Sequence, residues 1–190
     1  MKILQLAFAG ALALATFTGG AQAQSSDNIL TIELKDGPVV IELRPDIAPK
    51  HVQQIKELAA AGEYDNVAFH RVIKGFMAQT GDVQYGDMKE GFQSELAGTG
   101  GSSKPDLPAE FSDVPFERGT VGMARSQDPN SANSQFFIMF APGDFLNGQY
   151  TVVGKVVEGI ENVDKIKLGD EANNGAVTDP DRMISVKVGK

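Results

Sequence analysis

Glycine and proline recur so often along this chain that no long helix or strand fits between them. With 21 glycines and 9 prolines in 190 residues, short apolar runs alternate with turn chemistry, the pattern of an all-β barrel or sandwich. Ile29 to Leu34 and Val39 to Leu43 are strand-like, and Lys35-Asp36-Gly37-Pro38 between them is a hairpin signal. Arg44-Pro45 stops the second run. Further strands are expected over 67–73, 76–79, 120–124, 135–140, 152–157 and 183–188. The clearest helix spans Ala48 to Gly62, with Val52, Ile55, Leu58 and Ala59 at helical spacing, Pro49 in the first turn and Gly62 at the end. A weaker one covers Gly159 to Lys167, where Ile160, Val163 and Ile166 fall three apart. Between Gly86 and Phe116 the chain is rich in Gly, Ser and Pro, which predicts a long surface loop system. Such loops are usually functional on a β scaffold. No internal repeat and no domain boundary is visible.

The first residues have a different character. Lys2 precedes an apolar run from Ile3 to Phe17, and a small, polar stretch ends in Ala21-Gln22-Ala23. That order is a signal peptide over residues 1–23, cleaved before Gln24. A transmembrane anchor is the competing reading, but a span needs roughly 20 apolar residues, and Gln5, Thr16 and Thr18 crowd this shorter run. Cleavage leaves 190 − 23 = 167 residues as one domain, 24–190, with formal charge moving from −8 to about −9 as Lys2 is lost. An acidic chain is a poor partner for nucleic acid or an anionic membrane, and no stable membrane insertion is expected after cleavage. The sequence has no cysteine, so an exported chain must be held by packing alone. Export without disulfides points to a bacterial periplasmic or secreted protein.

Chemistry concentrates in three segments. Phe69 to Asp82 sets Arg71 and Gln79 among large apolar side chains around Gly75. Ser134 to Ile138 repeats the mixture with Gln135, Phe136 and Phe137, and Phe145 to Val156 follows. In a strand Arg71 would share a face with Phe69 and Ile73. A cation there is costly unless it lines a groove or finds a partner, and position alone leaves both open. The only histidines are His51, expected on the surface of the first helix, and His70, expected buried and hydrogen-bonded. No nucleophile-base pair, cysteine or cluster of metal ligands is visible, so neither metal nor other cofactor is expected.

In order and spacing these segments resemble the signature blocks of cyclophilins, the peptidyl-prolyl cis-trans isomerases, from about Asn28 to the C-terminus. The resemblance implies a mainly β fold, a closed eight-stranded antiparallel barrel with an α-helix over each open end. It implies that Arg71 and Gln79 are catalytic, Arg71 donating to the prolyl nitrogen. Phe76, Met77, Ala124, Arg125, Gln135, Phe137, Phe145, Leu146 and Tyr150 would bind substrate, with Phe136 turned into the core. Proline-containing segments of unfolded or flexible polypeptides are the implied partners, and a monomer assisting the folding of exported proteins is expected. There are departures. Phe145 stands where many cyclophilins have tryptophan, Tyr150 where eukaryotic forms often have histidine, and Met123-Ala124-Arg125-Ser126 replaces a Met-Ala-Asn-Ala run. These resemble the bacterial branch and imply weak cyclosporin binding, since an indole donor is missing. Two other functions compete. A non-catalytic module or holdase chaperone would use the same groove without turnover. A lipocalin-like carrier would need long strands around an open lumen, against which the large side chains in short strands argue.

Overall fold

The hairpin expected at the start of the domain forms, in a computed structural model that describes residues 26–189. Residues 1–23, the expected leader, lie outside the described residues. Strand β1 (Ile29–Leu34) and β2 (Gly37–Leu43) pair from Ile29↔Glu42 to Leu34↔Gly37, leaving Lys35-Asp36 as a two-residue turn. Leu30, Ile32, Leu34, Val39, Ile41 and Leu43 alternate inward and join the main core.

Six more strands follow: β3 (Arg71–Ile73), β4 (Met77–Thr80), β5 (Thr120–Met123), β6 (Phe136–Met139), β7 (Val152–Glu158) and β8 (Ser185–Val188). They form one antiparallel sheet in the order β3-β4-β6-β5-β7-β2-β1-β8. The sheet curls but does not close, which corrects the expected closed barrel. Its edges β3 and β8 do not pair with each other. The gap is filled by irregular chain: Phe69 N–H donates to Asp181 O (2.8 Å), Met183 N–H to Val67 O (2.9 Å) and Val72 N–H to Gly175 O (2.8 Å). The composition of residues 169–182 explains this. Asn174, Gly175 and Asp179 have positive φ (51°, 80° and 52°), and Pro180 has no N–H to give, so no ladder can run through them. Strand β3 is correspondingly short. Val67 to His70 were expected within it but precede it, and Phe69 packs in the main core, not on the face of Arg71.

Helix α1 (Pro49–Ala60) begins at the expected proline and lays Val52, Ile55, Leu58 and Ala59 into the core. Gly62, with φ of 75°, ends it, and Glu63 N–H returns to Leu58 O. The second helix is only one turn, α2 (Ile160–Val163). The chain then tightens into i to i+3 bonds, Lys165 N–H to Asn162 O and Ile166 N–H to Val163 O. The three-residue spacing of Ile160, Val163 and Ile166 suits that tighter turn better than a long α-helix.

His51 is not on the surface but fully buried. The long loop folds over the start of α1 and brings Glu110, whose carboxylate accepts from Lys50 N–H (3.1 Å), His51 N–H (3.2 Å) and His51 Nδ1 (2.7 Å). A residue sixty positions away thus caps the helix, a favourable place for negative charge. Burial pushes the Glu110 carboxyl up, but the His51 side chain and the two amides outweigh it and hold it below the usual carboxylate range. The stabilisation is therefore present above the unfolded-state pKa and is lost as pH falls through the lower, folded-state one. Glu110→Ala should cost about 2–4 kcal/mol in urea denaturation, from a lost cap and an unpaired buried imidazole nitrogen. That penalty should shrink below pH 4. A penalty unchanged down to pH 3 would exclude the carboxylate as its source.

Candidate active site

The pleat of β4 and β6 divides the apolar residues between two sides. Ala78, Phe136 and Ile138 enter the main core, whereas Met77, Phe137 and Met139 form a second cluster with Phe116, Leu146 and Val152. Cross-strand register sets one row on that outer side: Arg71 faces Gln79, Gln79 faces Phe137, and Phe137 faces Gly122. Gly122 is required there. A Cβ would lie 2.5 Å from the Phe116 ring and 2.7 Å from that of Phe137. Those rings stack at 5.7 Å over the bare backbone, and Phe137, backed by Phe116, forms part of the floor of a groove.

The groove has a volume of about 450 Å³, within the usual range for ligand sites. Arg71, Phe76, Met77, Gln79, Ala124, Arg125, Phe137, Phe145, Leu146 and Tyr150, every site residue expected except Gln135, lie along its wall. Met77, Phe137 and Leu146 are buried at its base, and Phe145 at the rim is 65% exposed. Phe145 packs on Phe76 at 5.5 Å, and Tyr150 meets Phe137 edge-on at 6.0 Å. Gln135 lines an adjoining polar cavity of about 350 Å³, and Gln79, Ala124 and Arg125 form the wall common to both.

A chain of amides runs beneath that wall. Arg71 Nη1–H donates to Gln79 Oε1 (3.1 Å), Gln79 Nε2–H to Gln135 Oε1 (3.0 Å), and Gln135 Nε2–H to Gly100 O (2.7 Å). Its polarity is forced from both ends, because a guanidinium can only donate and a carbonyl can only accept. On its other side Arg71 donates from Nε to Asn174 O and from Nη2 to Asn174 Oδ1, both at 3.0 Å. Three of its five N–H groups are thereby held, and two remain. The half-buried guanidinium is lowered in pKa by burial, yet it stays charged near neutrality.

Several contributors were not found in the sequence. Asn174 lies about a hundred residues from Arg71 in an apparently plain loop. Its left-handed φ of 51° turns both oxygens toward the guanidinium. Phe116 and Gln149 were likewise unassigned. Asp82, fully buried, accepts from the N–H groups of Gln84 (3.1 Å), Tyr85 (2.9 Å), Gly98 (2.7 Å) and Gly100 (2.9 Å), fixing the loop whose carbonyl ends the amide chain. His70 is buried as expected, but neither ring nitrogen has a hydrogen-bond partner among the described residues. Burial, the largest influence on it, lowers its pKa, so it is neutral at pH 7.

The family description "Cyclophilin type peptidyl-prolyl cis-trans isomerase/CLD" matches residues 29–188. The chain belongs to the cyclophilin family. It is 61% identical over 191 residues to a probable peptidyl-prolyl cis-trans isomerase of Brucella suis, covering 99% of this chain and 97% of that one. It superposes on cyclophilin AquaCyp293 from Hirschia baltica with a TM-score of 0.71 and 27% identity, over 86% of this chain and 74% of the other. A cyclophilin type peptidyl-prolyl cis-trans isomerase of Cryptosporidium parvum, crystallised in the presence of the dipeptide Ala-Pro, gives 0.72 and 26%, over 85% and 99%. This cyclophilin is therefore a peptidyl-prolyl cis-trans isomerase.

Replacing Asp82 by alanine strips four backbone donors of a charged acceptor, each worth about 1.5 kcal/mol or more. The four bonds share one carboxylate and the freed loop amides can turn to water, so these losses do not add. The Asp82→Ala protein should lose roughly 3 kcal/mol of stability, and Gly98 and Gly100 amides should exchange with deuterium far faster than those of β1. Unchanged protection at both glycines would show that the loop is held otherwise.

Proposed function

We propose that Arg71 is the electrophile of the isomerisation, donating from its two uncommitted N–H groups to a prolyl nitrogen held in the apolar groove. The carrying observation is the immobilised guanidinium of a groove-lining arginine, with three N–H groups bound and two uncommitted. Rotation about an Xaa-Pro bond meets a barrier of about 18–20 kcal/mol because the nitrogen lone pair is conjugated with the carbonyl. At the twisted midpoint that lone pair is localised and accepts a hydrogen bond that the planar amide accepts poorly. A donor fixed there stabilises the transition state over both ground states, and an apolar wall strengthens the interaction. No bond is broken, so no nucleophile or proton relay takes part. Phe76, Met77, Phe137 and Leu146 would hold the proline ring. The amide chain would fix the arginine and leave Gln135 beside the substrate backbone.

The neutral His70 and the permanently charged arginine lead to a flat activity profile. Exchange spectroscopy on an Xaa-Pro peptide should show catalysis that varies little between pH 6.5 and 8.5. Arg71→Ala should lower kcat/KM by about 10²–10³, the cost of one preorganised donor, and Arg71→Lys should restore little because an ammonium lacks the fork. Asn174→Gly keeps the left-handed backbone and its carbonyl but removes Oδ1, and about a tenfold loss is expected. A folded Arg71→Ala protein with near-normal turnover would remove Arg71 from the mechanism and favour a proline-binding or holdase role.

We further infer that the chain is exported and assists folding in the periplasm or outside the cell, from the basic, apolar and small-residue order of residues 1–23. Mass spectrometry of protein recovered from an exporting host should find Gln24 at the start. An intact N-terminus in the membrane fraction would favour an anchor instead.

A further inference from the structure

The chain is acidic, with 25 Asp and Glu against 17 Lys and Arg, yet its groove is not. The residues lining the groove and the adjoining cavity include two arginines and no aspartate, glutamate or lysine. Neither arginine has a carboxylate partner among the described residues. Arg44 and Arg118, outside this lining, each sit 2.7 Å from an aspartate. Arg71 is held by uncharged oxygens only. Arg125 is too: its Nη1 donates to Ser126 O (2.9 Å) and Gln127 O (3.4 Å), and its Nη2 to Gln149 O (2.9 Å). Its guanidinium lies 4.3 Å over the Tyr150 ring. Carbonyl oxygens and a ring face orient a cation, but they do not neutralise it. Two full positive charges therefore face a cleft walled by Phe76, Phe137 and Phe145, and low-dielectric walls focus such a field outward.

The two cations differ in what they are free to do. Arg71 is committed to the prolyl nitrogen on the reading above. Arg125 stands on the wall shared by both cavities, beside the route of a chain that runs from one into the other. One Nη2 N–H is uncommitted, and its charge has no other duty in the isomerisation. We propose that the groove selects proline segments carrying an acidic side chain within about three residues of the proline, and that Arg125 is the residue that reads this charge. The range follows from two lengths. An extended peptide advances about 3.3–3.6 Å per residue, so the roughly 8 Å over which charge is felt at physiological salt spans about two residues of backbone. The reach of a long acidic side chain extends this to about three. The inference rests on the isomerase reading and names its substrate class.

The test uses the full chain and a set of acetylated, amidated peptides with one proline in a neutral frame. Glu, Gln or Lys is placed in turn at each of three positions on either side, and exchange spectroscopy gives kcat/KM for each. At one position or more the Glu peptide should exceed the Lys peptide by about five- to thirtyfold at low salt, with Gln between. The ratio should fall below about threefold near 0.5 M salt. Arg125→Lys should retain most of the ratio and Arg125→Gln should abolish it. Equal rates across the set, or a ratio indifferent to salt, would overturn the charge preference while leaving the isomerase reading intact. A ratio that survives in Arg125→Gln would take the role from Arg125. No catalysis of any peptide, Gln included, would overturn the isomerase reading and this inference together.

Discussion

Everything in this molecule depends on short strands serving two faces at once. In β4 and β6 consecutive residues must point to opposite sides, so Phe136 completes the main core while Phe137 makes the floor of the groove. The strands are only four residues long, and neither has spare positions. A one-residue slip would drive Gln79 into the core and Ala78 to the groove, exchanging a polar relay for an apolar surface. Register is therefore fixed by the core and used by the site. The site needs no scaffold of its own, because the packing that stabilises the sheet also sets the spacing of Arg71, Gln79 and Phe137.

The second constraint is directional. A line of hydrogen bonds between two glutamines has two possible polarities, and thermal flipping would blur it. Here one end is a pure donor and the other a pure acceptor, so each amide has one orientation that satisfies its partners. The buried Asp82 holds the loop that supplies the accepting carbonyl. A carboxylate about eleven positions beyond Arg71 in sequence thus acts on the guanidinium through a loop and two side chains. It does so without approaching the cation closely enough to cancel its charge. On the proposed mechanism, a carboxylate in direct contact would hold Arg71 just as firmly and blunt its power to donate to a weakly basic nitrogen.

The parts legible in the sequence were those encoded by local periodicity. Alternation in Ile29 to Leu43 foretold the hairpin, the spacing of Val52, Ile55 and Leu58 foretold α1, and the pairing of Phe136 with Phe137 foretold one inward and one outward ring. What failed depended on distant chain. His51 looks solvent-facing on its helix because nothing local announces that Glu110 will cover it. The α2 stripe at Ile160, Val163 and Ile166 has a spacing that two helix types share, and only the following chain decides between them. Asn174 was invisible for the same reason. Its role comes from a backbone conformation and from a contact across 103 positions, neither of which a motif records.

The open seam and the held arginine are one feature seen twice. Had β8 paired directly with β3, the residue beside Arg71 would have been an ordinary strand member. Its carbonyl would have been spent on a ladder hydrogen bond and its side chain turned to one face or the other. The irregular segment behaves differently. Gly175 O still receives Val72 N–H at 2.8 Å, so the edge of β3 is not left unpaired. One residue earlier, the left-handed turn at Asn174 releases a carbonyl and an amide oxygen to the same guanidinium. Edge strands need covering in any case, and covering this one with a turn instead of a strand yields acceptors that a regular ladder cannot offer. Failure of the sheet to close is thus a condition for holding Arg71 from its second side, and the composition of residues 169–182 serves the site as directly as the groove residues do.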